Sequence, residues 1–342
     1  MIKKIYIELT NRCNLTCDMC YRHSWDNTLG DMDKETIDKL YNQIEKPITM
    51  VFGGIGEPTV AKNFEYAVDK FKEFDLEITT NGIMNEKKLL LICQNFKNVI
   101  ISVDGTEADY YDIRKTDFEN VKRTIEYIHN YRKKNDKKLP EMEFAFVISK
   151  VNKEAIYKVI DCASRNNVKK ILMSHLLPQN LHQQNEICYT EYYNELGHEY
   201  VKLVNKYAYF GMRVVVSFPF MEIKTDRICH FVENDYTYID YAGEVSPCYR
   251  FANTYTEWVF GREKTVLKHS FGNILKDSIN DIYEGKKYKI FRDSVLHVDH
   301  PSCVDCDLRD GCSYVDDTEF DCLGNSPSCG DCLWNRNIIR CT

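Results

Sequence analysis

From residue 3 to about 220, short runs of β-branched and aromatic residues alternate with longer stretches whose apolar positions recur at helical spacing. The runs predict strands over 4–10 (KIYIELT), 48–54 (ITMVFGG), 76–80 (LEITT), 98–104 (NVIISVD), 143–149 (EFAFVIS) and 170–175 (KILMSH), with a further one over 212–218 (MRVVVSF). Helices are expected between them, over 33–45, 61–74, 118–131 and 152–165, the first opened by Asp33 as N-cap. Six strand–helix repeats imply a parallel sheet with helices outside, either doubly wound or barrel-like. In both, chemistry gathers beyond the carboxyl ends of the strands, where the loops converge on one mouth.

The unusual residues fall at those ends. Cys13 follows the first strand, GGIGEP (53–58) the second, TTNG (79–82) the third and SVDG (102–105) the fourth. Any one of these alone reads as a tight turn; together they favour a shared site. The charged stretch YRKKNDKK (131–138) reads as a solvated loop. Beyond 212–218 the composition shifts to cysteine, glycine and aspartate, which places a domain boundary near 220 and divides the chain into 1–220 and 221–342.

A length of 342 residues exceeds one ordinary core and suggests two domains. With 44% hydrophobic and 28% charged residues the composition is that of a soluble globular protein, and a net charge of -7 gives no electrostatic footprint for nucleic acid or an anionic membrane. The N-terminus has no apolar core of a signal peptide, and no segment approaches membrane-spanning length. A cytoplasmic, reducing location follows, in which the 15 cysteines bind metal more readily than they form disulfides. Nine of them lie between Cys229 and Cys341, whereas Cys93, Cys162 and Cys188 are scattered and read as small buried hydrophobes.

Cys13, Cys17 and Cys20 form C-x3-C-x2-C, one thiolate short of the four that a 4Fe-4S cluster takes, so one iron stays open to an external ligand. The competing reading is a zinc site closed by His23. With CNLTCDMC after the first strand, GGIGEP after the second and SVDG in the fourth, residues 1–220 resemble the radical S-adenosylmethionine (SAM) enzymes. The resemblance implies a partial TIM-type barrel of six β/α repeats, and S-adenosyl-L-methionine chelating the open iron and cleaved reductively to a 5'-deoxyadenosyl radical. It also implies that Cys13, Cys17 and Cys20 hold the cluster and that the backbone at Met19 faces the adenine. Gly53, Gly54 and Glu57 would take the cofactor's amino group, although Ile55 and Gly56 separate them. Ser102 and Asp104 would take its ribose or carboxylate, with Thr80 and Asn81 as neighbours. Arg114 is expected in a helix-surface ion pair rather than at the cofactor, and His23, Trp25 and Asp26 in loop packing. No general base is singled out.

The C-terminal cysteines read C-x13-G-x4-C from Cys229 through Gly243 to Cys248, then Cys303, Cys306 and Cys312 as C-x2-C-x5-C, then Cys322, Cys329, Cys332 and Cys341. This resembles the SPASM domain of radical enzymes that modify peptides or proteins, which holds up to two auxiliary 4Fe-4S clusters. The resemblance implies that Cys303, Cys306 and Cys312 share one cluster with a fourth ligand among Cys329, Cys332 and Cys341, and that Cys229, Cys248 and Cys322 belong to the other. Nine residues separate Cys312 from Cys322, where the pattern has three. A zinc ribbon built on Cys303/Cys306 and Cys329/Cys332 is the alternative.

Across nearly the whole chain, CYRHSWDNTLGDM (20–32), FGGIGEP (52–58) and DCLGNSPSCGDCLWNRNIIRC (321–341) resemble the SPASM maturases associated with tungsten-containing aldehyde oxidoreductases. That implies a peptide or protein substrate and a low-potential electron donor such as ferredoxin or flavodoxin. No winged-helix peptide-recognition domain is expected ahead of a first strand that starts so close to Met1. Two other readings remain at this point: an anaerobic sulfatase-type maturase, and a non-catalytic iron-sulfur or zinc scaffold, which would need the cysteines but not the glycines, Ser102 or Asp104.

Overall fold

The computed structural model describes the chain except residues 26–27, 137–138, 192–193, 195, 210–213, 220–226 and 342. Asp26, the start of the strand expected over 212–218, and residue 220 therefore lie outside the described residues. The strands are β1 (Lys4–Ile7), β2 (Thr49–Phe52), β3 (Asp75–Thr80), β4 (Phe96–Ser102), β5 (Glu141–Ile148), β6 (Lys170–His175), β7 (Val215–Ser217), β8 (Tyr236–Ile239) and β9 (Val245–Ser246). All six strands expected of the repeats are present. Several stop short of their predicted ends, because residues 8–10, 53–54 and 103–104 leave the ladder to form the mouth.

One sheet carries these strands in the order β7-β6-β5-β4-β3-β2-β1-β8-β9, and the first seven are parallel. From β1 to β7 each strand lies beside its sequence neighbour, so the order never reverses as it does in a doubly wound sheet. The architecture is the barrel type, left open between β7 and β9. Strand β8 runs parallel to β1, with Lys4 opposite Tyr236 and Ile7 opposite Ile239, so the cysteine-rich segment extends the same sheet.

The two faces of the sheet differ by period-two alternation. Ile5, Ile7, Met50, Phe52, Ile78, Ile101, Phe144 and Ile171 join the core beneath the helices. Lys4, Tyr6, Glu77, Asn98, Ile100, Glu143, Lys170 and Leu172 line a cavity on the inner face, where Lys4 Nζ bonds Glu77 Oε2 at 2.8 Å. Helices α1 (Lys34–Tyr41), α2 (Phe64–Phe71), α3 (Glu86–Asn95), α4 (Glu107–Arg114), α5 (Phe118–Lys134) and α6 (Ile156–Arg165) cover the outside. Their buried stripes have helical spacing: Phe64, Ala67, Val68 and Phe71 on α2, and Ile156, Val159, Ile160 and Ala163 on α6. Asp33 caps α1 as expected, accepting from Thr36 N at 2.8 Å. Cys93 and Cys188 are buried as expected, and Cys162 is half-buried.

Helices α7 (Leu181–Gln184) and α8 (Gly197–Tyr209) follow β6; α9 (His230–Glu233), α10 (Ile279–Glu284) and α11 (Lys286–Leu296) belong to the C-terminal segment, as does the antiparallel hairpin of β10 (Tyr255–Val259) and β11 (Arg262–Val266). Among the described residues no helix is long and apolar enough to cross a membrane.

Candidate active site

The loop after β1 is closed on itself before it carries any chemistry. Thr10 Oγ1 donates to Gly30 O at 2.8 Å, Asn11 Nδ2 to Thr28 O at 2.9 Å, and Gly30 N to Asn11 Oδ1 at 2.8 Å. Inside the loop, Cys20 N donates to Cys17 O and His23 N to Cys20 O, both at 3.1 Å. His23 Nε2 is engaged with Cys17 O at 2.9 Å, so its ring supports the loop instead of closing a zinc site. Trp25 packs against the core. Among the described residues no three Cys, His, Asp or Glu side chains converge closely enough for a single metal ion.

Cys13, Cys17, Met19 and Cys20 line a cavity of about 300 Å³ at the carboxyl ends of the strands, together with Gly54, Glu57, Thr80, Asn81, Ser102 and Arg114. Burial pushes the Cys13 thiol up and the Cys20 thiol to about 11, so deprotonation needs a cationic centre beside them. N–H groups already surround the sulfurs. Leu15 N lies 3.4 Å and Asn81 Nδ2 3.7 Å from Cys13 Sγ, and Arg114 Nη1 lies 3.7 Å from Cys17 Sγ. Three thiols with donors aimed at them fit a thiolate-held iron-sulfur cluster.

Glu57 is buried, and its carboxylate accepts four hydrogen bonds from the chain. Oε1 accepts from Thr59 N (3.1 Å), Thr59 Oγ1 (2.7 Å) and Thr80 Oγ1 (2.8 Å), and Oε2 from Asn81 N (2.7 Å). It braces the loop after β2 against the end of β3. Gly54 has φ +140°, and a Cβ there would meet Glu8 Oε1 and Tyr238 Oη at 2.8 Å. The inserted pair packs under the cluster loop: Ile55 N donates to Glu8 Oε1 at 3.0 Å, and a Cβ on Gly56 would stand 2.2 Å from Thr10 O. A Cβ on Gly53 would meet Tyr249 Oη at 3.1 Å.

Ser102 lines the cavity at the end of β4, whereas Asp104, fully buried, does not. Asp104 Oδ1 accepts from Val147 N at 2.6 Å, and Oδ2 holds Nε and Nη2 of Arg114. The surface ion pair expected for Arg114 is thus overturned. The end of α4 turns inward and sets the guanidinium between a buried carboxylate and a cluster-loop thiol.

Several lining residues had no local signal. Ser174 and His175 come from the end of β6, and Tyr249, Trp334, Ile339, Arg340 and Cys341 from the C-terminal segment. A second cavity, of about 370 Å³, is lined by Cys229, Cys248, Cys329, Cys332 and Cys341. Tyr249, Trp334, Ile339, Arg340 and Cys341 border both cavities. Burial pushes Cys229 to about 11 and Cys248, Cys329 and Cys341 well up, with Cys229 and Cys332 close enough to Cys248 to raise it further. Cys303 is also raised to about 11, by burial first and then by Asp331, with Lys264 opposing and Cys322 and Cys312 adding smaller effects. Cys306 is exposed on the same loop.

Cys329, Cys332 and Cys341 line the second cavity with Cys229 and Cys248, and Cys322 and Cys312 lie within electrostatic reach of Cys303. The longer spacer lets the chain turn at 313–315 and fold back, with Ser328 N bonded to Thr318 O at 2.9 Å. Cys303 N bonds Gly330 O at 2.8 Å, which packs the Cys303 loop on the turn between Cys329 and Cys332, two residues that line the other cavity.

Residues 7–163 match the radical SAM superfamily and residues 229–307 the SPASM iron-sulfur cluster-binding domain. The chain belongs to the radical SAM superfamily and is an enzyme of its SPASM type, a class that works with S-adenosylmethionine and 4Fe-4S clusters. It is 35% identical over 359 aligned residues, 99% of this chain and 97% of the relative, to the tungsten-containing aldehyde ferredoxin oxidoreductase cofactor-modifying protein of Pyrococcus furiosus. A shorter likeness, 30% identity over 36% of this chain and 30% of the relative, is to the antilisterial bacteriocin subtilosin biosynthesis protein AlbA of Bacillus subtilis. In fold it resembles SuiB of Streptococcus suis bound to S-adenosylmethionine, at a TM-score of 0.64 and 12% identity, covering 100% of this chain and 77% of that one. Native anSMEcpe with bound AdoMet and the Cp18Cys peptide gives 0.62 at 19% identity, covering 90% and 87%.

Proposed function

We propose that this chain is a maturase that modifies a peptide or protein substrate during maturation of a tungsten-dependent oxidoreductase. The observation that carries the reading is one cavity lined both by the β1 thiol loop and by C-terminal residues up to Cys341, which brings a radical source and a cysteine-rich wall to the same space. The full-length likeness to a cofactor-modifying protein supports the choice of pathway. When bound, S-adenosylmethionine and its cluster supply a 5'-deoxyadenosyl radical for hydrogen abstraction; the chain supplies position and a dry site.

In this reading Cys13, Cys17 and Cys20 hold the cluster, and the backbone at Met19, Gly53 and Gly54 lies along the cofactor. Ser102 donates to it, while Glu57, Thr80, Asn81 and Asp104 hold the surrounding loops in place. Residues 1–220 form the radical domain and 221–342 the auxiliary-cluster domain, with Cys229, Cys248, Cys329 and Cys332 around one cluster and Cys303, Cys306, Cys312 and Cys322 around the other. Ferredoxin or flavodoxin serves as the low-potential donor.

Hydrogen abstraction needs a C–H bond held in near-attack geometry, so turnover depends on bound substrate. The test uses anaerobically reconstituted protein with deuterium-labelled peptides encoded near it and with a tungsten oxidoreductase chain. Deuterium appearing in 5'-deoxyadenosine together with a mass change in the polypeptide supports the reading. Label transfer from a free metabolite and from no polypeptide contradicts it.

A further inference from the structure

Most hydrogen-bonding groups around the thiol-lined cavity are already engaged by the chain. Glu57 holds Thr59, Thr80 and Asn81, and Arg114 is paired with Asp104. Across the cavity, on the β6 side, two polar side chains are not engaged in this way.

His175 ends β6, is 1% exposed, and has no partner for either ring nitrogen among the described residues. Its ring is fixed against Tyr189 with centroids 5.0 Å apart. Burial lowers its pKa to about 3, so the imidazole is neutral and carries one N–H to donate. Arg340 runs alongside: its N–H donates to Ser174 Oγ at 3.0 Å, and His175 N donates to Ile338 O at 3.1 Å. Arg340 Nη1 donates to Ser217 Oγ at 2.7 Å and Phe218 O at 3.0 Å, both neutral acceptors, and no carboxylate pairs with the guanidinium among the described residues.

A buried polar group without a partner is costly, and a guanidinium presents a fork of donors suited to paired oxygens. His175, without a partner for either nitrogen, and Arg340, bonded through Nη1 to neutral acceptors alone, stand at the wall of the cavity, set to meet what enters it. The thiols, Asn81 and Ser102 belong to the β1–β4 side, which leaves the β6 side for the second reactant.

We propose that His175 and Arg340 form the substrate-recognition subsite of this cavity and receive an oxyanion, carboxylate or phosphate, carried by the substrate. The proposal rests on the maturase reading. Arg340 supplies charge and two of its donors, and His175 N–H a further one. A carboxylate would come from an acidic or C-terminal residue of a polypeptide, a phosphate from a phosphorylated group.

The test titrates glutarate and inorganic phosphate, separately, into the anaerobically reconstituted full chain already saturated with S-adenosylmethionine. One probe should bind, and Arg340→Gln should weaken it about tenfold, the loss of one charge-assisted contact. Arg340→Lys should restore most of the binding. His175→Gln should weaken it less, and iron content and melting temperature verify that each variant folds. Which probe binds identifies the source of the oxyanion. Binding of neither probe, or binding indifferent to both substitutions, overturns the proposal. So does a fall in S-adenosylmethionine affinity in Arg340→Gln, which would assign the guanidinium to the cofactor's own carboxylate. A wild-type chain that releases no 5'-deoxyadenosine with any of the polypeptides offered removes the maturase reading and this proposal together; oxyanion binding missing from a chain that does release it removes this proposal alone.

Discussion

Arg114 Nη1 stands 3.7 Å from Cys17 Sγ while Nε and Nη2 of the same guanidinium hold Asp104, a carboxylate with no exposed surface. One charge therefore serves the thiol loop and a buried anion. Removing only one member of a buried pair leaves the other uncompensated, at a cost of roughly 3–5 kcal/mol. Arg114→Gln should destabilise the chain on that scale in urea unfolding, and Asp104→Asn alone comparably. The double variant should lose clearly less than the sum. Additive losses would contradict the pairing.

Glu8, at the end of β1, gives a pH signature. Burial raises its carboxyl from 4.5 to about 7, opposed by the hydrogen bond from Ile55 N. The folded chain thus binds this proton more tightly than the unfolded chain does. The stabilisation is complete below 4.5 and is lost as pH rises through about 7, at most about 3 kcal/mol across that window. Glu8→Gln should flatten this part of the stability profile, as measured by denaturant titration at a series of pH values. A Glu8→Gln profile that runs parallel to the wild type through the same window would contradict the assignment.

Gly54 and Ser102 should separate folding from cofactor binding. With φ +140° and two oxygens 2.8 Å from any Cβ, Gly54→Val should lower thermal stability before any question of ligand arises. Ser102→Ala should melt like the wild type and weaken S-adenosylmethionine by about 1–2 kcal/mol, one lost hydrogen bond. Equal effects of Ser102→Ala on melting and on affinity would reduce it to a strand-end hydroxyl.

The strands were legible because β-branched runs between helical stripes leave little else to form. Helix α3 was less so: Leu89, Leu90 and Leu91 in succession blur the stripe, and only folding shows that Leu89 is buried while Leu90 is exposed. Cys13, Cys17 and Cys20 could be read from one loop. His175 and Arg340 could not, nor could the place of Cys341 at this cavity, since nothing local tells that residues 338–340 lie along the end of β6. Arg114 misled for the same reason, because its partner Asp104 precedes α4 and faces inward. Counting residues between Cys312 and Cys322 could not show that the spacer folds back.

That fold-back makes its own prediction. Cys322→Ala should alter the same auxiliary cluster signal as Cys303→Ala and leave intact the one altered by Cys248→Ala, as read by electron paramagnetic resonance of the reduced protein. Cys322→Ala and Cys248→Ala perturbing one common signal would restore the partition expected from spacing.

The β1 loop should hold a cluster that opens S-adenosylmethionine independently of the C-terminal thiols. Iron and sulfide content are to be measured together with 5'-deoxyadenosine release in anaerobically reconstituted Cys17→Ala protein. One cluster's worth of iron should be lost and no 5'-deoxyadenosine formed, with the C-terminal iron retained. Unchanged release of 5'-deoxyadenosine from Cys17→Ala would contradict this.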